Sequence, residues 1–155
     1  FVAPIPEAER ADLIQAYYRR LTSGDARVRI EAARAWSLWE SRVATLRPDP
    51  DVETHCNNTD YTLAFARIEC HYFQHKGFLR HETQLLDDAT KIQHIPTTIV
   101  HGRYDVICPL ENAWLLHKRL PKSELVIVPD GGHSAFEPGI AAALRRATDR
   151  YRPTT

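Results

Sequence analysis

The chain has 155 residues with 20 basic and 20 acidic side chains, so its formal net charge is zero. Hydrophobic residues make up 43% of the sequence, which together with this length is typical of one ordinary globular domain. The charge balance argues against a nucleic-acid or anionic-membrane partner, since both need an excess of lysine and arginine, and no apolar run approaches the roughly 20 residues of a membrane span.

Three cysteines, an odd number, argue against a disulfide-stapled secreted domain and favour a reducing compartment, which we take to be the cytoplasm. No basic-then-apolar leader opens the sequence, so no secretory signal is visible. The sequence starts at Phe1 and contains no methionine. We therefore expect the chain to be part of a longer protein.

Residues 1–91 carry mostly helical patterns, with apolar side chains three and four positions apart. The predicted helices span Glu7 to Thr22, Asp25 to about Leu46, and Thr59 or Asp60 to about His75. Residues 82–94 are expected to form a short helix or a loop. The apolar stripe of the second predicted helix includes Trp36 and Trp39. This half of the sequence predicts an all-helical segment.

From residue 92 onward the pattern alternates between strands and helices. Predicted strands at Ile95–Val100 and Leu125–Val128 are each followed by a loop and then by a helix, the first from Pro109 to Leu120 and the second from Pro138 to Tyr151. This order is typical of a parallel α/β sheet.

Asp105 and His133 lie in the loops that follow the two predicted strands. The carboxyl ends of parallel strands meet at one edge of a sheet, where ligands bind. An aspartate there can orient a histidine that acts as a general base, and the order Asp before His is that of α/β-hydrolases. The other interpretation is a pair of ordinary surface turns, because Asp130–Gly131 is also a plain turn sequence.

A hydrolase of this kind also needs a nucleophile on a G-x-S-x-G elbow. None of the five serines has glycines at that spacing: Ser23, Ser37, Ser41, Ser123 and Ser134. An HGGG-type oxyanion segment is not present either. The residues thus offer a base and an orienting carboxylate without a nucleophile.

Two acidic side chains lie on apolar helix faces. Glu40 shares a stripe with Trp36 and Val43, and Glu69 shares one with Ala66 and Phe73. A buried carboxylate needs a partner, and nearby arginines or a lysine would be the structural explanation. Two such acids that face one cleft would instead bind a cation such as a substrate ammonium group.

A metal site in the third predicted helix is the alternative. Cys70, His71 and His75 lie close in sequence, and the two histidines are four residues apart. The sequence H-Y-F-Q-H has no glutamate at the zincin position. We therefore predict no metal, and we interpret Cys108 as a small apolar wall residue near Asp105.

Several sequence segments occur here together and in one order: PIPEAERADLIQAYYRRLT, AARAWSLWE, FARIECHYFQHKGFL, IPTTIVHGRYDVICPLENAWLLHK and VPDGGHSAFEPGI. With these segments the chain resembles bacterial prolyl aminopeptidases (proline iminopeptidases), which are α/β-hydrolase serine peptidases. The likeness covers nearly the whole chain.

This resemblance implies a partial α/β-hydrolase fold, with a helical cap at residues 1–80 and the carboxyl-terminal part of the core at 81–155. It implies release of N-terminal proline from a peptide substrate by a Ser–Asp–His triad, without metal or cofactor. The implied residues are Asp105 and His133 in the triad, Glu40 and Glu69 at the substrate's imino nitrogen, and Phe73 and Cys108 in the pyrrolidine pocket.

The family's earlier half, which carries the HGGPG oxyanion segment and the nucleophile elbow, has no counterpart in this sequence. We therefore expect the chain by itself to be inactive and its natural partner to be the missing amino-terminal part of the same enzyme. Two alternatives stay open: another α/β-hydrolase, such as an esterase or epoxide hydrolase, or a chain with no catalytic role.

Overall fold

The computed structural model describes residues 1–48, 50–51, 54 and 56–152. The chain divides into two compact units. The first consists of Phe1–Arg42 and Asp49–Arg80, and the second of Val43–Pro48 and His81–Thr155. The predicted functional division into a cap at 1–80 and a core at 81–155 stays a prediction.

The first unit is built from three helices in the described residues: α1 (Leu13–Leu21), α2 (Ala26–Ala44, whose last two residues belong to the second unit) and α3 (Thr59–Gln74). The prediction that the first helix runs without a break from Glu7 is wrong, because a 3₁₀ turn at Glu7–Glu9 precedes it. The side chain of Asp12 accepts a hydrogen bond from the backbone of Gln15 at 2.9 Å, and this cap begins α1.

The core of the first unit contains aromatic and small side chains. Trp36 and Tyr17 are at most 1% exposed, and Ala66 and Cys70 are fully buried. Small residues on α3 allow the large rings to pack closely against it. Trp39 was predicted to share the buried stripe of α2, but it is 39% exposed, so that part of the prediction is wrong.

The second unit contains two parallel strands, β1 (Thr97–Gly102) and β2 (Ser123–Val128), with Thr97 opposite Ser123 and Gly102 opposite Val128. Its helices in the described residues are α4 (Gln84–Asp88), α5 (Leu110–Arg119) and α6 (Pro138–Arg150). The predicted parallel α/β arrangement is confirmed. Because the strands are parallel and in register, their carboxyl ends and the loops that follow lie at one edge.

Helix α6 packs against this small sheet through Ile140 and Ala143, which form a core with Val128. None of the helices in the described parts of the chain combines the length and the apolar composition that crossing a membrane requires.

Candidate active site

The loop after β1 is organised by Asp105. Its Oδ1 atom accepts hydrogen bonds from the backbone N–H groups of Ile107, at 3.0 Å, and Cys108, at 2.8 Å. Only 5% of the Asp105 side chain is exposed. The carboxylate is therefore held by its own turn, and its second oxygen remains directed to other groups.

The loop after β2 is fixed from both sides of His133. The backbone N–H groups of His133 and Ser134 both donate to the carbonyl of Ala44, at 2.9 and 2.8 Å. Oε1 of Glu137 accepts a hydrogen bond from the backbone of Gly132 at 2.7 Å, and Oε2 accepts one from the backbone of Leu46 at 3.1 Å. These hydrogen bonds fix the backbone around His133, so the position of the residue does not depend on contacts of its imidazole ring.

The two loops touch each other through their backbones. Arg103 N–H donates to the carbonyl of Val128 at 2.9 Å, and Tyr104 N–H donates to that of Gly131 at 3.0 Å. A Cβ atom on Gly102 would overlap the carbonyl oxygen of Gly132 and lie 2.6 Å from that of Gly131. Only glycine at position 102 permits this approach.

The approach brings Asp105 and His133 together, as the sequence predicted. Nδ1 of His133 lies 3.0 Å from Oδ2 of Asp105. A carboxylate only accepts hydrogen bonds, so Nδ1 carries the proton and donates it. The other ring nitrogen, Nε2, is then an acceptor. This is the geometry of a general base with an orienting carboxylate.

His101, at the end of β1, was not singled out by the sequence analysis. Its Nε2 atom donates to the carbonyl of Cys108 at 2.8 Å and lies 3.5 Å from Oδ2 of Asp105. Nothing in the sequence around His101, which directly precedes Gly102, indicated a function. In the structure its hydrogen bond to Cys108 stabilises the end of the turn that Asp105 begins.

Cys108 lies close to both Asp105 and His133, and the three residues form one cluster. One ligand atom from each of Asp105, Cys108 and His133 lies within 4.8 Å of the others. Cys108 is exposed and is not part of a disulfide. The structure thus brings together three of the six predicted site residues, all in the second unit.

The other three, Glu40, Glu69 and Phe73, lie in the first unit. Oε2 of Glu69 accepts a hydrogen bond from the indole N–H of Trp36 at 2.5 Å, and the Phe73 ring lies 6.0 Å from the Trp36 ring. Glu40 is 8% exposed, and Phe73 is 49% exposed. Basic side chains were the expected partners of Glu69, and the contact with Trp36 was not predicted, although a buried indole N–H needs an acceptor.

Residues 1–140 match the family described as having the alpha/beta hydrolase fold. The chain belongs to this family. The predicted partial α/β-hydrolase fold is therefore confirmed.

Three curated relatives are similar to nearly the whole chain. A protein named probable proline iminopeptidase from Leptolyngbya boryana is 54% identical over 97% of this chain and 47% of its own length. A proline iminopeptidase from Xylella fastidiosa is 55% identical over 97% and 48%, and one from Arabidopsis thaliana is 51% identical over 96% and 39%. The resemblance found in the sequence is confirmed, and the chain spans about half the length of these relatives or less.

Among solved structures, a serine hydrolase involved in carbazole degradation is similar to this chain, with 20% identity and a TM-score of 0.49. The match covers 76% of this chain and 45% of the hydrolase chain.

Proposed function

We propose that the protein to which this chain belongs is a prolyl aminopeptidase, which releases N-terminal proline from peptides. The observation that carries the proposal is the hydrogen bond from His133 to Asp105 at the carboxyl ends of two parallel strands. The relatives named proline iminopeptidase support the choice of substrate.

In this proposal His133 is the general base. Its Nε2 atom takes the proton from a serine hydroxyl as that oxygen attacks the prolyl carbonyl carbon. The same proton then goes to the leaving amine, and His133 next activates the water that hydrolyses the acyl-enzyme. Asp105 holds the ring in the required tautomer and stabilises the imidazolium that forms twice in each cycle.

Glu40 and Glu69 are proposed to bind the charged imino nitrogen of the substrate, with Phe73 and Cys108 against its pyrrolidine ring. Burial of Glu40 and the fixed orientation of Glu69 support this proposal, because a carboxylate held in a poorly solvated place attracts a cation more strongly. Selection for a free N-terminus would follow, since a blocked proline has no charge there.

The nucleophile is proposed to lie in the half of the relatives that this chain does not match. In the described residues β1 and β2 form a two-stranded sheet, so each strand has one edge that no other described strand covers. Such edges pair readily with further strands. That unmatched half would supply those strands together with the serine. We propose the cytoplasm as its compartment, because all three cysteines are thiols.

A chimera tests the proposal. The segment of the Xylella fastidiosa enzyme that precedes its match to this chain is fused to residues 1–155, and hydrolysis of proline naphthylamide is compared with that of the 155-residue chain. We expect turnover from the chimera and none from the chain. A folded chimera, with a cooperative thermal transition, that hydrolyses no prolyl substrate would overturn the proposal.

The same chimera separates a peptidase from an esterase. Glu40→Gln and Glu69→Gln should each raise KM for proline naphthylamide by about tenfold or more, the effect of losing one charged contact of about 1.4 kcal/mol. Hydrolysis of a simple uncharged ester should change little. Equal losses on both substrates would favour another hydrolase activity.

A further inference from the structure

The cluster beside the proposed base contains three different metal-ligating groups. Asp105 offers a carboxylate oxygen, Cys108 a thiol sulfur and His133 an imidazole nitrogen, and these atoms all lie within 4.8 Å of one another. In the described parts of the chain this is the one group of three such side chains. The acid–base chemistry uses Asp105 and His133 and gives no role to the sulfur.

We propose that Asp105, Cys108 and His133 form a binding site for a thiophilic divalent cation of the Zn²⁺ class, and that the bound ion inhibits the enzyme reversibly. The binding of the ion goes beyond the proposed function and does not depend on it. The inhibition rests on the proposed function, because it requires His133 to be the base.

The spacing of the ligand atoms suits a tetrahedral ion. Zinc bonds of about 2.3 Å to sulfur and about 2.0–2.2 Å to nitrogen and oxygen place the ligand atoms roughly 3.3–3.7 Å apart. Oδ2 of Asp105 and Nδ1 of His133 are 3.0 Å apart, and one ligand atom from each of Asp105, Cys108 and His133 lies within 4.8 Å of the others. Closing the site therefore needs a shift of about 1 Å, which rotation of the Cys108 and His133 side chains can supply.

The site is also prepared by its backbone. The Asp105 carboxylate that would bind the ion accepts the backbone N–H of Cys108 through its other oxygen, so the thiol and the carboxylate belong to one fixed turn. His101 holds the carbonyl of Cys108 from the opposite side. Supporting hydrogen bonds of this kind orient metal ligands and raise affinity. Cys108 and His133 are exposed, which gives an ion a way in.

The chemistry of binding explains the inhibition. The ion displaces the proton of the Cys108 thiol, which goes to solvent, and forms a bond to one ring nitrogen of His133. When the ion bonds to Nδ1, the proton now donated to Asp105 moves to Nε2, which then has no lone pair for the serine proton. When the ion bonds to Nε2, it occupies that lone pair directly. In either case the ring can no longer act as a base. Three protein ligands leave a fourth position for water or a substrate group.

The histidine pair predicted as an alternative metal site lacks this arrangement. The rings of His71 and His75 are 4.3 Å apart, but Nδ1 of His75 contacts the carbonyl of His71 at 2.8 Å. The Cys70 thiol contacts the carbonyl of Ile14 at 3.6 Å and is fully buried. A cation at those histidines would therefore have no sulfur ligand.

Cobalt(II) is the probe that distinguishes a site with a sulfur ligand, at Cys108, from one without, at His71 and His75. The purified 155-residue chain, with thiols reduced, is titrated with Co²⁺, and the thiolate-to-cobalt charge-transfer absorption is recorded together with the visible bands of a tetrahedral ion. We expect both signals, and we expect Zn²⁺ to displace the cobalt. Cys108→Ser should abolish the charge-transfer band, and Asp105→Asn or His133→Gln should weaken binding by about tenfold or more.

Cys56→Ser is the matched control, since Cys56 is 7% exposed and outside the cluster, and it should leave the titration unchanged. Persistence of the band in Cys108→Ser, or its absence from a chain that unfolds cooperatively, would overturn the metal site. In the active chimera, Zn²⁺ should suppress proline naphthylamide hydrolysis and a chelator should restore it. Full activity with the ion bound would overturn the inhibition while leaving both the binding and the proposed function standing.

Discussion

The indole Nε1 of Trp36 donates a hydrogen bond of 2.5 Å to Oε2 of Glu69, between helices α2 and α3. Trp36 is 1% exposed and Glu69 is half-buried, so the indole side of this bond is shielded from bulk water. One oxygen of Glu69 is thereby fixed, and the orientation of the second follows from it. The bond couples the largest core side chain of the first unit to a residue proposed to bind substrate.

Replacement of Trp36 by phenylalanine should destabilise the chain by about 1–3 kcal/mol, because the variant keeps an aromatic ring but leaves the Glu69 carboxylate without its donor. Trp39→Phe is the matched control, since Trp39 is 39% exposed, and it should change stability by less than about 0.5 kcal/mol. Urea unfolding of the two variants measures the difference. Equal effects would show that the indole N–H contributes nothing beyond packing.

Gly102→Ala should destabilise the second unit by about 1–3 kcal/mol, because the added methyl group overlaps the backbone carbonyls of Gly131 and Gly132. The loops that carry Asp105 and His133 would have to separate. Gly24→Ala is the control, since nothing lies within 4 Å of a Cβ atom there. Thermal unfolding should show a lower Tm for the first variant and an unchanged or slightly higher Tm for the second.

Protonation of Glu9 at low pH should lower the stability of the folded chain. Hydrogen bonds from Arg20 and then Arg19 lower the pKa of Glu9 from 4.5 to about 2. The folded chain thus favours the carboxylate, whose contribution is complete above pH 4.5 and is lost as the pH falls toward 2. The Tm difference between the wild type and Glu9→Gln should shrink over that range. Glu7→Gln, at an exposed position, should show no such change.

The three thiols should react in a fixed order. Cys108 is exposed, Cys56 is 7% exposed and Cys70 is fully buried. Burial, followed by the nearby charge of Glu69, raises the pKa of the Cys70 thiol to about 11, so it stays protonated at neutral pH. Iodoacetamide labelling read by peptide mass should modify Cys108 first and Cys70 only after unfolding. Early labelling of Cys70 would contradict the packing of α3.

The sequence alone was sufficient to predict that Asp105 and His133 lie at the same edge of the sheet, while their catalytic roles stay a proposal. Each follows a short β-branched strand, and parallel strands bring such loops to one edge whatever the details of packing. It was also sufficient for the type of every long element, because helical spacing of apolar residues and short β-branched runs differ clearly.

Contacts between distant segments could not be predicted in this way. Trp36 and Glu69 are 33 residues apart, and which face of α2 meets α3 depends on the packing of whole helices. For the same reason Trp39 was predicted to be buried although the buried face is centred on Trp36 and Ser37. Helix α1 begins at Leu13 and not at Glu7, because the side chain of Asp12 caps it there and a separate 3₁₀ turn precedes it.

The central claim is that the pair of Asp105 and His133 drives prolyl peptide hydrolysis once the nucleophile is supplied. Its most direct test is the rate of proline naphthylamide hydrolysis by the chimera with His133→Gln and with Asp105→Asn. Asparagine can still accept the backbone hydrogen bonds of the turn but cannot hold the same imidazole tautomer. We expect kcat to fall about 10³–10⁴-fold for Asp105→Asn and at least as far for His133→Gln, with both variants folded. Retention of more than about a tenth of the activity by either variant would contradict the account.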